Sequence, residues 1–161
     1  MPKAIRSPLL AVALIVVLAG TVLVTPGSGL VGTFLSRGTL SERVHFNTGA
    51  VKIQTKASVD AVMQTITFGA PSTSGWHAHP GVVIVTVTSG SLARYDEHCS
   101  RTVYTAGTAS SGFIESGNHA GLVRNEGATA AVVHVTYLVP AGTPDGALRI
   151  NKDNPGCPGL N

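Results

Sequence analysis

The sequence predicts an all-β protein of the barrel or sandwich class, and three observations support this prediction. Val, Thr and Ile are concentrated in the middle of the chain, whereas only 5% of residues are aromatic. Nineteen Gly and nine Pro residues interrupt the chain often, as many short strands and turns require. Between Gly38 and Pro140, no segment shows an apolar period of 3.6 residues over a helical length. With 161 residues and 43% hydrophobic content, we expect one packed domain.

Residues 1–29 have the layout of a secretory signal. Lys3 and Arg6 precede an uncharged run from Leu9 to Val24, and a Pro/Gly/Ser break follows. As a helix, this run would span about 24 Å, which is short of a hydrocarbon core and favours a signal peptide. No Ala-x-Ala site follows, so an uncleaved N-terminal membrane anchor is the alternative. Both predict an exported domain, extracellular or on the outer face of the membrane, with membrane contact only through this segment.

The positive charge of the chain belongs largely to that segment. The formal net charge is +3, but from Leu30 onward nine Lys/Arg face eight Asp/Glu. There is no sustained basic stripe, so the sequence gives no reason to expect a nucleic-acid partner.

After a predicted flexible linker, residues 30–39, nine strand-like runs separated by Gly, Asn and Ser turn signals fill residues 40–140. The runs are RVHF, AVKIQTK, AVMQTITF, VVIVTVT, SLARY, RTVY, GFIE, GLVRN and TAAVVHVTYLV. Closing such strands into a small barrel or jelly roll removes exposed edges and leaves an interior that can hold one ligand.

A Pro/Gly-rich tail, residues 141–161, ends the chain and contains the second of two cysteines. Cys99 and Cys157 form an even pair on a chain predicted to be exported, where thiols oxidise. We expect one disulfide that ties the tail to the domain. The alternative is a thiolate that acts as a metal ligand or nucleophile, and no Cys-x-x-Cys spacing supports it.

The motif GWHAHPG, residues 75–81, carries the clearest chemical signal. Alternate side chains of an extended segment share a face, so His77 and His79 point the same way and can bind one metal ion. By the same alternation Val83 and Val85 face this interior. Trp76 and Tyr95 are candidates for the mouth of the pocket, although alternation favours outer-face packing for Trp76.

The core of the chain, residues 40–140, resembles a small single-domain cupin of the type-2 conserved barrel family. SGWHAHPGVVIVTVTSG matches the first cupin motif and AGTASSGFIESGNHAGLVRNEG the second. The resemblance implies a cupin-type jelly-roll β-barrel. It also implies a metal bound by both histidines of the first motif, a glutamate a few residues on, and a histidine of the second motif. His77, His79 and His119 match these histidines.

The chain departs from the family pattern near the expected ligands. The glutamate position falls near Val83, the second motif reads ESGNH, and Asn125 follows His119 by six residues instead of four. The predicted site is therefore a neutral three-histidine site for a divalent transition metal: Fe, Zn, Cu, Ni or Mn. Some cupin oxygenases, including thiol dioxygenases, are similar. Without the carboxylate a dication is attracted less, so an empty site is the alternative.

Three further residues are catalytic candidates: Glu115, His134 and Tyr137. Glu115 either supplies the missing carboxylate, orients His119, or is a solvated rim residue. His134 is either a hydrogen-bonded core residue or a fourth ligand or pocket acid/base. His45 and His98 are expected at or near the surface.

Three classes of function fit this sequence. The first is a metal-dependent cupin oxidoreductase or dioxygenase acting on a small molecule. The second is a non-catalytic module of the cell envelope that binds a small ligand or a metal, and the third is a tethered barrel with a vestigial pocket. The retained histidines argue against the third, whereas the missing acid argues against naming a reaction. The resemblance also implies a homodimer formed through strand edges.

Overall fold

The computed structural model describes residues 27–161, so nearly all of the predicted signal or anchor segment lies outside the described residues. Within residues 27–161 the protein is all-β apart from one 3₁₀ turn, Asp145–Ala147, and no helix there is long and apolar enough to span a membrane. The strands are β1 (Ser28–Leu40), β2 (His45–Asn47), β3 (Lys52–Gln54), β4 (Val59–Thr73), β5 (His77–Ala78), β6 (Val82–Ser89), β7 (Ser91–Asp96), β8 (Arg101–Thr105), β9 (Gly112–Glu115), β10 (Gly121–Asn125), β11 (Ala131–Pro140) and β12 (Ile150–Asn151).

Ten of the described strands form one antiparallel sheet that curls into a nearly closed barrel, and β2 and β3 form a separate hairpin. The long strand β4 organises the sheet. From Val59 to Phe68 it pairs with β1 along one edge and with β11 along the other, and its last residues pair with β10. The order then continues from β11 through β6 to β9. The all-β barrel predicted from the sequence is confirmed.

Alternating side chains fill the barrel, as expected of strands with one face buried. On β6, Val83, Val85 and Val87 are buried whereas their neighbours are exposed, and β11 shows the same alternation. Val83 and Val85 thus face the interior as predicted. Their cluster includes Phe113 from the adjacent strand β9 and Phe68 from β4.

Residues 30–39 are not the flexible linker that the sequence predicts, because they lie within β1. This strand pairs with β4 from Leu30 to Leu40. Near its end, Arg37 forms an ion pair with the buried Asp60, and Thr39 Oγ1 donates to the same carboxylate at 2.8 Å. Most side chains of β1 are exposed on both faces, so its sequence has no alternation of apolar and polar residues. The segment is a strand because its backbone pairs with an edge of β4.

The end of the C-terminal tail packs on the outside of the barrel and is tied there by the predicted disulfide, Cys99–Cys157. Beneath it Trp76 is fully buried, and its indole Nε1 donates to the carbonyl of Leu160 at 2.7 Å. The outward orientation predicted for Trp76 is confirmed. Trp76, Tyr95, Leu122 and Leu160 belong to a second apolar cluster, separate from the one inside the barrel. Tyr95 therefore does not line the cavity of the barrel, as the sequence allowed.

Candidate metal centre

The strand β5 positions both histidines of the His-x-His motif. His77 pairs with Gly121 of β10 on one side and with Asn151 of β12 on the other. This two-sided pairing fixes the backbone, so that alternation turns both rings inward. His77 and His79 are buried, and their ring centroids lie 4.8 Å apart with perpendicular planes.

Glycines stand at two close backbone contacts of the segment after β5, one with β11 and one with the loop after β9. A Cβ at Gly81 would lie 2.1 Å from the carbonyl oxygen of Leu138, and a Cβ at Gly117 would lie 2.7 Å from that of Gly81. The backbone N–H of Asn118 also donates to the carbonyl of His79 at 3.0 Å. Gly81 thus packs against β11, and Gly117 lets the loop after β9 reach Gly81, so the end of β9 lies beside His79.

Glu115, the last residue of β9, supplies a carboxylate to the two histidines. In the antiparallel register it lies directly opposite Val83, which in turn lies opposite Tyr137 of β11. Directly paired residues share a face, so all three side chains point inward. Glu115 is thus the cross-strand neighbour of the position at which the family resemblance implies a glutamate.

The three side chains converge on one point. Glu115 Oε2 lies 3.0 Å from His79 Nε2 and 3.9 Å from His77 Nε2. Each residue offers one ligand atom, and these atoms all lie within 4.8 Å of one another. Two imidazole nitrogens and one carboxylate oxygen are the donors of the 2-His-1-carboxylate sites that bind divalent transition metals.

The hydrogen bonds of the rings leave the correct nitrogens facing this point. His77 Nδ1 lies 2.9 Å from the carbonyl of Gly75, and His79 Nδ1 lies 2.6 Å from that of Leu148. A carbonyl only accepts, so each Nδ1 carries a hydrogen and each ring turns its Nε2 toward Glu115. Either a shared proton or a cation must then lie between His79 and the carboxylate. Backbone acceptors of this kind orient metal-ligating histidines.

The charge states also suit metal binding. Burial lowers the pKa of His77 to about 4, so its ring is neutral at pH 7. Burial alone would raise the pKa of the Glu115 carboxyl, but its hydrogen bond with His79 and its electrostatic interactions with His77, His79 and Arg94 outweigh burial and lower the pKa. Its Oε1 is buried and lacks a hydrogen-bond partner. The residues therefore fit a divalent metal.

The burial of His77 predicts an acid-dependent loss of stability in the metal-free protein. The folded-state pKa of about 4 lies below the value of about 6.5 expected in the unfolded chain. As pH falls from about 6.5 to 4 the unfolded state therefore binds the proton first, and folding loses up to about 3 kcal/mol. Urea unfolding with a chelator across this range measures the effect. His77→Asn should flatten the dependence and His119→Gln should not, whereas equal slopes in all three chains would contradict it.

The metal centre opens into the barrel cavity, of about 120 Å³. Aliphatic and phenylalanine side chains line most of it. Tyr137 is buried in its wall, and burial together with the charge of Glu115 raises its pKa to about 12. Arg149, from the tail, reaches the same cavity.

The structure does not place His119 with the other two histidines, which corrects the predicted ligand set. Its side chain is 65% exposed, and its Nδ1 lies 2.9 Å from Glu97 Oε1. After β9, Gly117 and Asn118 adopt left-handed φ values of 72° and 59°, which reverse the chain and turn the next residue outward. The third donor beside His77 and His79 is Glu115 and not His119.

The remaining candidate residues differ in whether they face the pocket or the solvent. His134 is exposed on the outer face of β11 between two buried valines, so it is neither a fourth ligand nor a pocket acid/base. His45 and His98 are exposed, as expected. Tyr137 lies in the pocket beside His79, with ring centroids 5.5 Å apart. Sequence reasoning missed Arg149 and the carbonyl of Leu148, because only the disulfide signalled that the tail returns to the barrel.

No protein-family model matches the sequence, and no curated protein is significantly similar to it. Similar solved structures include a Cupin 2 conserved barrel domain protein from Leptotrichia buccalis, with TM-score 0.48, 14% identity, and coverage of 69% of this chain and 41% of that one. A cupin domain from Bordetella pertussis Tohama I has TM-score 0.46, 16% identity, and coverage of 68% and 93%. Oxalate oxidase in complex with the substrate analogue glycolate has TM-score 0.42, 22% identity, and coverage of 48% and 41%. These are similarities of fold, and the metal centre stands on its own geometry.

Proposed function

We propose that this protein is an exported, cupin-like metalloprotein that binds one divalent transition metal through His77, His79 and Glu115 and holds a small molecule in the barrel. The observation that carries the proposal is the convergence of two Nε2 lone pairs and a buried carboxylate at the end of an apolar cavity. The disulfide supports export, because such bonds persist in oxidising compartments. Fe, Zn, Cu, Ni and Mn all accept this donor set.

The side chains around the centre have distinct tasks. A metal with open positions supplies Lewis acidity or, for iron, copper or manganese, redox chemistry. Glu115 is engaged as a ligand, and Tyr137 keeps its proton at neutral pH because its pKa is raised. The Tyr137 hydroxyl therefore acts as a hydrogen-bond donor to a bound molecule. Its present acceptor, Gln64 Oε1, is distant at 3.4 Å.

A non-catalytic binding module is the second candidate, and the cavity lining favours it in one respect. Among the described residues that line the cavity, the single carboxyl group is the metal-ligating Glu115. A reaction that needs a general base would lack a free one there. Oxygen uptake by the Fe(II)-loaded protein with thiols, diketones and phenolics separates the two candidates, since a carrier consumes no oxygen with any of them.

Metal titration of the full-length chain tests the proposed ligand set. We expect the wild type to bind one Zn²⁺ per chain. His79→Ala and Glu115→Gln should each reduce the Zn²⁺ affinity by roughly 100-fold or more, because each removes a donor atom. His119→Ala is the matched control and should bind as tightly as the wild type. Equal metal content in wild type and Glu115→Gln, with loss in His119→Ala, would contradict the assignment.

A further inference from the structure

Arg149 occupies a fixed position beside the metal centre. It lies between Leu148, whose carbonyl accepts from His79 Nδ1, and Ile150, which pairs with Ala78 of β5. The tail is thus bound to the histidine motif on both sides of Arg149. Its side chain is partly buried and lines the barrel cavity.

Among residues 27–161 the guanidinium of Arg149 forms no direct ion pair, and Glu115 attracts it only from a distance. Its Nε donates to Asn151 Oδ1 at 3.0 Å, but one terminal nitrogen, Nη2, is buried without a hydrogen-bond partner. A guanidinium keeps its charge at physiological pH, and leaving it unpaired away from water is costly. By contrast Arg94, the other arginine near the centre, lies 3.5 Å from Glu115 Oε1. An anion in the cavity would complete the bonding of Arg149.

The cavity restricts what that anion can be. Its volume of about 120 Å³ approaches the ~150 Å³ cavity that holds benzene, and its wall is formed by side chains such as Leu30, Phe68 and Phe113. An inorganic oxyanion would leave oxygens facing this wall without partners. A carboxylate on a short apolar body suits both parts of the cavity. The carboxylate can accept two parallel N–H bonds from the guanidinium, and the apolar body can pack against the apolar wall.

The charges around the centre agree with this occupant. The single negative charge of Glu115 does not neutralise a bound dication, and Arg149 adds a further positive charge on the same side. A monoanion reduces this excess. The Tyr137 hydroxyl lines the same cavity, beside His79, and offers a second donor.

We propose that Arg149 anchors the carboxylate of a small organic acid whose apolar body fills the barrel next to the metal. The proposal rests on the function proposed above and names the class of molecule that the site takes. Arg149 is in this sense a specificity-determining residue and not a metal ligand.

Calorimetric titration with butyrate and with butyramide tests the anchor, in the Zn²⁺-loaded and the metal-free protein. The two probes match in size and differ in charge. We expect the wild type to bind butyrate at least about tenfold more tightly than butyramide, because hydrogen bonds to charged groups are the stronger ones. Arg149→Met should remove this preference while leaving Zn²⁺ affinity without butyrate within about twofold, and Arg149→Lys should keep part of it.

Two further variants separate charge from folding. Arg43→Met removes an exposed arginine outside the cavity and should bind both probes as the wild type does. Asn151→Ala keeps the guanidinium but removes its internal acceptor, so the butyrate preference should survive. A loss in Asn151→Ala equal to that in Arg149→Met would assign the effect to the position of the tail and overturn the proposal.

The titrations with and without Zn²⁺ distinguish failure of the proposed carboxylate anchor, Arg149, from failure of the proposed metal site. If Zn²⁺ binds but butyrate has no advantage, or keeps its advantage in Arg149→Met, the anchor is wrong and the metal site stands. If Zn²⁺ does not bind, the metal-free titration still decides: a preference lost in Arg149→Met supports the anchor, and no preference refutes it. Displacement of butyrate by an equal concentration of inorganic phosphate would refute the apolar-body requirement.

Discussion

A chain in which Cys99 and Cys157 are both replaced by serine is expected to lose about 4 kcal/mol of unfolding free energy. The disulfide joins residues 58 positions apart, and closing a loop of that length restricts the unfolded chain by about this amount in the chain-entropy account. Domains of this size are stable by only about 5–15 kcal/mol. Urea unfolding of the variant and of the oxidised wild type, compared at the same pH, measures the difference.

The same variant should bind Zn²⁺ about 10–100-fold more weakly, because the tail carries the carbonyl of Leu148 that orients His79. Loosening the tail frees His79 to adopt the other tautomer. Unchanged Zn²⁺ affinity would show that the tail stays in place without the bridge. Two reactive thiols in unfolded, unreduced wild-type protein would show that the bridge does not form.

Replacing Trp76 with alanine should cost about 3–5 kcal/mol, the range typical of large aromatic residues in a core. Trp76 is fully buried between the outer face of the barrel and the tail, where it packs in one cluster with Leu122 and Leu160. Its neighbour in sequence is His77, so the loss should weaken metal binding as well. Thermal and urea unfolding measure the first effect and Zn²⁺ titration the second.

Two substitutions calibrate the Trp76 result. Trp76→Phe keeps most of the packing but removes the indole donor to Leu160, at a cost of about 1–2 kcal/mol. Ile114→Ala truncates a side chain that is 62% exposed on β9 and should change stability by no more than about 0.5 kcal/mol. A cost for Trp76→Ala as small as that of Ile114→Ala would mean that the tail does not cover the indole.

The barrel could be predicted from sequence because its strands alternate. On β6 and β11 every second side chain is buried, and this local period is visible without the partner strands. By contrast β1 has little buried surface, and the two-residue strands β5 and β12 exist only through their pairing. Such elements depend on distant hydrogen bonds, which a local pattern does not contain.

The metal centre could be predicted in part for the same reason. His77 and His79 share a face within one short segment, whereas Glu115 reaches them through its register opposite Val83. The sequence offered Glu115 as one possible source of the missing carboxylate, but it gave no reason to leave His119 out of the site. The turn signal Ser116-Gly-Asn was readable, but the left-handed backbone that turns His119 outward was not. No motif or spacing in the sequence around Arg149 pointed to a place in the site.

The measurement that tests the central claim most directly is a crystal structure of the Zn²⁺-loaded protein with anomalous scattering recorded at the zinc edge. We predict one strong peak in the barrel, bonded to Nε2 of His77, Nε2 of His79 and a carboxylate oxygen of Glu115 at about 2.0–2.2 Å, with His119 in solvent. A peak coordinated by His119, or none between the three buried side chains, would contradict the account.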